Sequence, residues 1–139
     1  MQPLILMLES DEDDQHITRV TFDEHRYNAR LEFAGNSTVL FDFLATARTS
    51  GEELPSLILA SYRSFPMSVQ DILTKIKSDG LLKHIPVVVL GTALPLEIIR
   101  ECYACGAAYV ILKPFTSEGV KQKINSCFRY WFETATIAP

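Results

Sequence analysis

Gly106-Ala107-Ala108-Tyr109-Val110-Ile111-Leu112-Lys113-Pro114-Phe115 is a short apolar run that ends on a lysine followed by a proline. Four to eight apolar residues bounded by glycine and proline read as a buried strand. A lysine at the carboxyl end of such a strand needs an anion or a carboxylate opposite it, because an unpaired ammonium there costs free energy. That partner, and the sheet that holds the strand, must come from the rest of the chain.

Four more runs suit buried strands: Leu4 to Leu8, Arg30 to Ala34, Ser56 to Ala60 and Pro86 to Leu90, with Ala108 to Leu112 as the fifth. The second, with Leu31 and Phe33 between polar neighbours, has the pattern of an edge strand. Segments of helical period separate the runs, marked by Ile17, Val20 and Thr21; by Val39, Leu40, Phe43 and Leu44; by Val69, Ile72, Leu73 and Ile76; by Leu94, Ile98, Ile99 and Cys102; and by Val120, Ile124, Cys127, Phe128 and Trp131. Ser10 or Asp11 caps the first of these. This alternation predicts an α/β fold, a doubly wound five-stranded parallel sheet covered on both faces.

In such folds the site lies outside the carboxyl ends of the strands. It therefore draws on Glu9, Ser10 and Asp11, on Ser61 to Arg63, on Gly91 and Thr92, and on Lys113. No glycine-rich phosphate loop is present.

A length of 139 residues, 47% hydrophobic and 22% charged, suits one domain, expected over residues 1–134 with a tail at 135–139. A net charge of −4 with scattered cations points away from nucleic acid and from anionic membranes. The first apolar run has no basic region before it and is too short for a signal peptide or a membrane span, so a cytoplasmic protein is expected. Three cysteines, an odd number, agree with a reducing compartment.

With these residues in view, the LPSLIL, HIPVVVL and GAAYVILKPF segments resemble a response-regulator receiver domain of the CheY-like kind. The resemblance implies the flavodoxin-like (βα)5 fold with strand order 2-1-3-4-5, a cis bond between Lys113 and Pro114, and transfer of phosphate from a histidine kinase to an aspartate with Mg²⁺. It also shows what is missing. Glu9 and Ser10 stand where the family has paired acids, and Ser61 stands where it has the accepting aspartate. Gly91 replaces the switch hydroxyl, and Val110 the aromatic three residues before the lysine.

Mg²⁺ is held by carboxylates together with phosphate oxygens and waters. Glu9 alone is a poor anchor, and the hydroxyls of Ser10 and Ser61 do not offset the metal's charge. The expectation is a pseudo-receiver without catalytic residues, cofactor or Mg²⁺ site, whose vestigial phosphoacceptor pocket comprises Glu9, Ser10, Ser61, Gly91 and Lys113. Lys113 is expected to pair with Glu9, the alternative being that it still attracts an anion such as phosphate or a partner's carboxylate, and Asp11 is expected to stabilise the N-terminus of the first helix. Ser61 lacks a neighbouring base to activate it, and His16, His25 and His84 are expected at the surface.

The Cys102 and Cys105 pair lies toward a helix C-terminus, where no dipole lowers a thiol pKa, and two cysteines do not complete a zinc site. Tyr130 and Phe132 fall off the stripe of the last helix and either form a partner surface or lie under a terminal tail, Ala135 to Pro139, folded back over them. Phe65 or Met67 is expected to pack over the empty pocket. The function expected is that of a single-domain response-regulator-like protein of a two-component phosphorelay. It would act by protein-protein contact with a histidine kinase or another signalling protein, or as a homodimer through the fourth and fifth helical faces. The alternatives are an active receiver with Asp11 or Ser61 as acceptor, and a small-ligand sensor using the vacated pocket.

Overall fold

The computed structural model describes residues 2–138. Met1 and Pro139, the outermost residues of the expected domain and tail, lie outside that range. Strand β1 (Leu4–Leu8) is followed by α1 (Glu12–His25), β2 (Arg30–Ala34), α2 (Ser37–Ser50), β3 (Leu57–Ser61), α3 (Val69–Lys77), β4 (Val87–Gly91), α4 (Leu96–Ala104), β5 (Tyr109–Leu112) and α5 (Ser117–Arg129). All pairings are parallel, in the order β2-β1-β3-β4-β5.

β3 and β4 begin one residue later than the apolar runs suggest. Pro86 has no N–H to give to a ladder, and Ser61 pairs with Leu90, so both strands reach one residue farther toward the site. Alternate side chains of each strand feed separate cores. Leu6, Leu8, Ile58, Ala60, Val87 and Val89 pack under α2, α3 and α4. Ile5, Met7, Leu57, Leu59, Val88 and Leu90 pack on the other face, with Phe22 of α1 and Val120, Ile124 and Phe128 of α5.

Each helix start has a local cause. Asp11 accepts from the Asp13 and Asp14 N–H groups at 2.8 and 3.1 Å, and Asn36, Ser68 and Thr116 cap α2, α3 and α5 with their side chains. α4 starts later than its period suggests. Leu94 precedes Pro95, which disfavours helical backbone at Leu94, and the helix begins at Leu96. Val20 and Val39, expected on buried stripes, are exposed at 37% and 46%, while Thr18 and Thr21 take the buried side of α1.

Both margins of the sheet carry a side-chain guard. On β2 the Arg19 guanidinium donates to the Leu31 carbonyl at 2.5 Å and lies over the Phe33 ring. On β5 the Tyr103 hydroxyl accepts from the Val110 N–H at 3.1 Å. The Lys113–Pro114 bond is trans, contrary to the expectation, and the Phe65–Pro66 bond is cis.

After α5 a π-helical turn, Tyr130–Thr134, is closed by the Ala135 N–H on the Tyr130 carbonyl. It carries Phe132 back against α1. Phe132 stacks on Tyr27 at 4.4 Å between ring centroids and meets Phe22 edge-on at 6.5 Å. Of the two residues expected at a partner surface, Tyr130 is exposed at 47%, whereas Phe132 is half-buried against the second core. Ile137 of the tail packs on the same core. No helix among the described residues is long and apolar enough to cross a membrane.

Candidate functional site

β1, β3, β4 and β5 deliver Glu9, Ser61, Gly91 and Lys113 to one end of the sheet. The Glu9 N–H donates to the Ala34 carbonyl at 2.9 Å, which fixes the turn out of β1. Its side chain is only 3% exposed. One carboxylate oxygen accepts the Asp11 N–H at 3.2 Å and the other accepts the Lys113 ammonium at 3.0 Å. The Lys113 N–H in turn donates to the Gly91 carbonyl at 2.8 Å, tying the ends of β4 and β5 together.

The pairing of Lys113 with Glu9 follows the sequence. A second partner does not: Asp14, on the first turn of α1, accepts from the Lys113 ammonium at 2.8 Å. Its signal was the spacing of Asp14, Thr18 and Thr21, which share the face of α1 turned to the sheet. Burial pulls the Lys113 pKa down, but the bonds to Asp14 and Glu9 outweigh it and hold the ammonium above its usual 10.5. The lysine joins β1, α1 and β5 through two carboxylates, and the trio carries one net negative charge.

Ser10 is exposed and outside this network. Asp11 is exposed and spends its carboxylate on the helix cap. Ser61, Tyr62, Arg63, Gly91, Thr92, Leu94 and Lys113 line a hollow of only about 70 Å³. Leu94 is the second residue that sequence reasoning missed here. A Cβ placed on Gly91 would lie 2.7 to 2.9 Å from three Leu94 side-chain atoms.

Neither Phe65 nor Met67 lines the hollow. The Ser37 N–H donates to the Phe65 carbonyl and the Ser37 hydroxyl accepts the Met67 N–H, which clasps that loop to the start of α2 instead. Met67 packs on the first core and Phe65 is 54% exposed. A larger groove of about 520 Å³ runs along β5 and α5, lined by Val110, Leu112, Lys123 and Tyr130, apart from the charged trio.

His16 and His84 are exposed, as expected, but His25 is half-buried, stacked on Tyr27 at 4.8 Å and hydrogen-bonded to Asn125. Cys102 and Cys127 are buried and Cys105 is half-buried. Burial pushes the Cys102 thiol up, and it pushes Cys127 up to about 11. Among the described residues no group of three or more His, Cys, Asp or Glu could hold a metal ion.

No family model matches the chain. Two curated proteins are similar to it along most of their length. FilR2 of Methanothrix harundinacea, a probable methanogenesis regulatory protein, is 25% identical over 128 residues, 92% of this chain and 83% of that protein. The two-component response regulator ORR13 of Oryza sativa subsp. japonica is 26% identical over 123 residues, 88% of this chain and 96% of that protein. Among solved structures, the Mn²⁺-bound form of response regulator Rcp1 superposes with a TM-score of 0.91 at 21% identity, covering 99% of both chains. The phosphorylated cyanobacterial phytochrome response regulator RcpA superposes with a TM-score of 0.91 at 22% identity, covering 100% of both. Five parallel strands in the order 2-1-3-4-5, wrapped by five helices, give this chain the fold of the response-regulator receivers.

Proposed function

We propose that the chain is a receiver-like signalling module of the two-component type that acts by protein contact, without phosphorylation and without catalysis. One observation carries this reading. The Lys113 ammonium lies between Glu9 and Asp14 at 3.0 and 2.8 Å, a position from which it engages both carboxylates that would otherwise face a metal and offsets half of their charge.

The donor set that remains does not fit Mg²⁺, which takes octahedral oxygen ligands with one or two carboxylates free to face it. Ser61 and Ser10 contribute neutral hydroxyls, and a divalent ion would have to displace an ammonium already held by two short bonds. An incoming phosphoryl group meets net negative charge, with the nearest cation committed elsewhere. Gly91 and Val110 supply neither the hydroxyl nor the aromatic ring that would pass an event at the site to the α4 and α5 faces. A protein partner, a histidine kinase or another signalling protein, is therefore read through a constant surface. Tyr130, 47% exposed beside the groove along β5, is the side chain best presented for it. Pairing of two copies through the α4 and α5 faces is the other use of that surface.

The test is incubation with acetyl phosphate and Mg²⁺ followed by intact-mass measurement. The expected mass is unchanged. Stoichiometric gain of a phosphoryl group overturns the reading, and mapping it to Ser61 or Asp11 would install the corresponding acceptor.

A further inference from the structure

The loop between β4 and α4 is built around a contact that receiver chemistry does not require. Gly91 ends β4 without a Cβ, and the Leu94 side chain fills that space, with Cδ1, Cγ and Cδ2 at 2.7, 2.8 and 2.9 Å from the position a Cβ would take. Ala93 between them has φ +53°, left-handed backbone that a non-glycine residue adopts at a cost. Pro95 then fixes φ at −62° and passes the chain into α4 without a side-chain cap. A strained turn persists only when its surroundings over-determine it. Here it folds Leu94 back over the carboxyl end of β4, against the hollow shared by Ser61, Gly91 and Lys113.

We propose that Leu94 is an internal plug, which holds the β4–α4 loop in one closed conformation and shrinks the space beside Ser61 below what a ligand needs. The hollow it leaves, about 70 Å³, compares with roughly 300–1,000 Å³ for pockets that take small molecules. Gly91 and Leu94 act as a matched pair. The glycine that removes the switch hydroxyl also makes the room that the leucine fills, so one substitution both silences the site and allows it to be closed. The loop that would otherwise respond to events at the site is thereby fixed. This inference rests on the reading of the site as chemically silent and adds a steric cause to the electrostatic one.

Two measurements on the full chain test it. In hydrogen exchange, Leu94→Ala is expected to speed the amides of Gly91 to Leu94 by about tenfold or more, while those of β1 and β3 change far less. In thermal melts, Gly91→Ala is expected to lower Tm in the wild-type background, where the new Cβ meets Leu94, and to lower it little or not at all in the Leu94→Ala background. Unchanged loop exchange in Leu94→Ala, or an equal loss of Tm from Gly91→Ala in both backgrounds, overturns the plug. Acetyl phosphate separates this inference from the reading beneath it: labelling of the wild type overturns the silent site, whereas labelling of Leu94→Ala alone supports the plug and overturns the electrostatic account.

Discussion

Replacing Lys113 with methionine removes the ammonium and keeps most of the side-chain volume. Two ion pairs are lost, at 3.0 Å to Glu9 and 2.8 Å to Asp14. At an effective dielectric constant of about 20 their gross Coulomb energies are about 5.5 and about 6 kcal/mol. Desolvation of the three charges offsets much of this. Asp14, 25% exposed, can turn to water once the lysine is gone, but Glu9, 3% exposed, cannot. The net loss is then that of leaving one carboxylate buried without a counter-charge, about 3–5 kcal/mol. Spread over an unfolding entropy of about 0.3 kcal/mol per kelvin for a chain this long, that lowers Tm by about 10–17 °C. Urea melts of Lys113→Met, and of Lys113→Met combined with Glu9→Gln, measure it, and the double variant is expected to recover most of the loss because no buried charge remains. A single variant within about 1 kcal/mol of wild type would refute the assignment of Lys113 as the tie between β1, α1 and β5.

The same pair sets a pH dependence. The folded state holds the Lys113 pKa above 10.5, so its contribution is complete below that value and is lost as pH rises through the folded pKa; the gap between wild type and Lys113→Met should stay constant at neutral pH and narrow only above about 10.5. Phe132→Ala should cost about 2 kcal/mol or more, since it empties a site stacked on Tyr27 at 4.4 Å, whereas exposed Tyr130→Ala should cost under about 1 kcal/mol; chemical melts that reverse this order would reject the packing of the π-helical turn. Under native conditions iodoacetamide should modify Cys105 first, because Cys102 and Cys127 are buried and the Cys127 pKa is about 11; mass mapping that finds Cys127 modified as fast would contradict its burial.

The sheet was legible because β1, β3 and β4 are nearly continuous apolar runs bounded by turn residues, and the position of Lys113 behind the fifth run pointed to the candidate site. The contact between Lys113 and Glu9 followed from charge alone. Asp14 is not adjacent to β1, and only its spacing to Thr18 and Thr21 marks it as lying on the inner face of α1. The four-residue distance from Leu94 to Ile98 mimics a helical stripe, while Pro95 is the signal that the helix has not begun at Leu94. Phe132 is a different case. It lies four residues beyond Phe128, a spacing that shares a face of an α-helix and stays inward in the more slowly winding π-helical turn, whereas Trp131, three residues on, moves toward Tyr109.

Arg19 and Tyr103 give the sheet a property that its connectivity does not. By engaging the outermost strands' main-chain groups, they discourage another polypeptide from joining as a sixth strand, in register and without regard to its side chains. Strand addition at either edge would first have to displace these side chains.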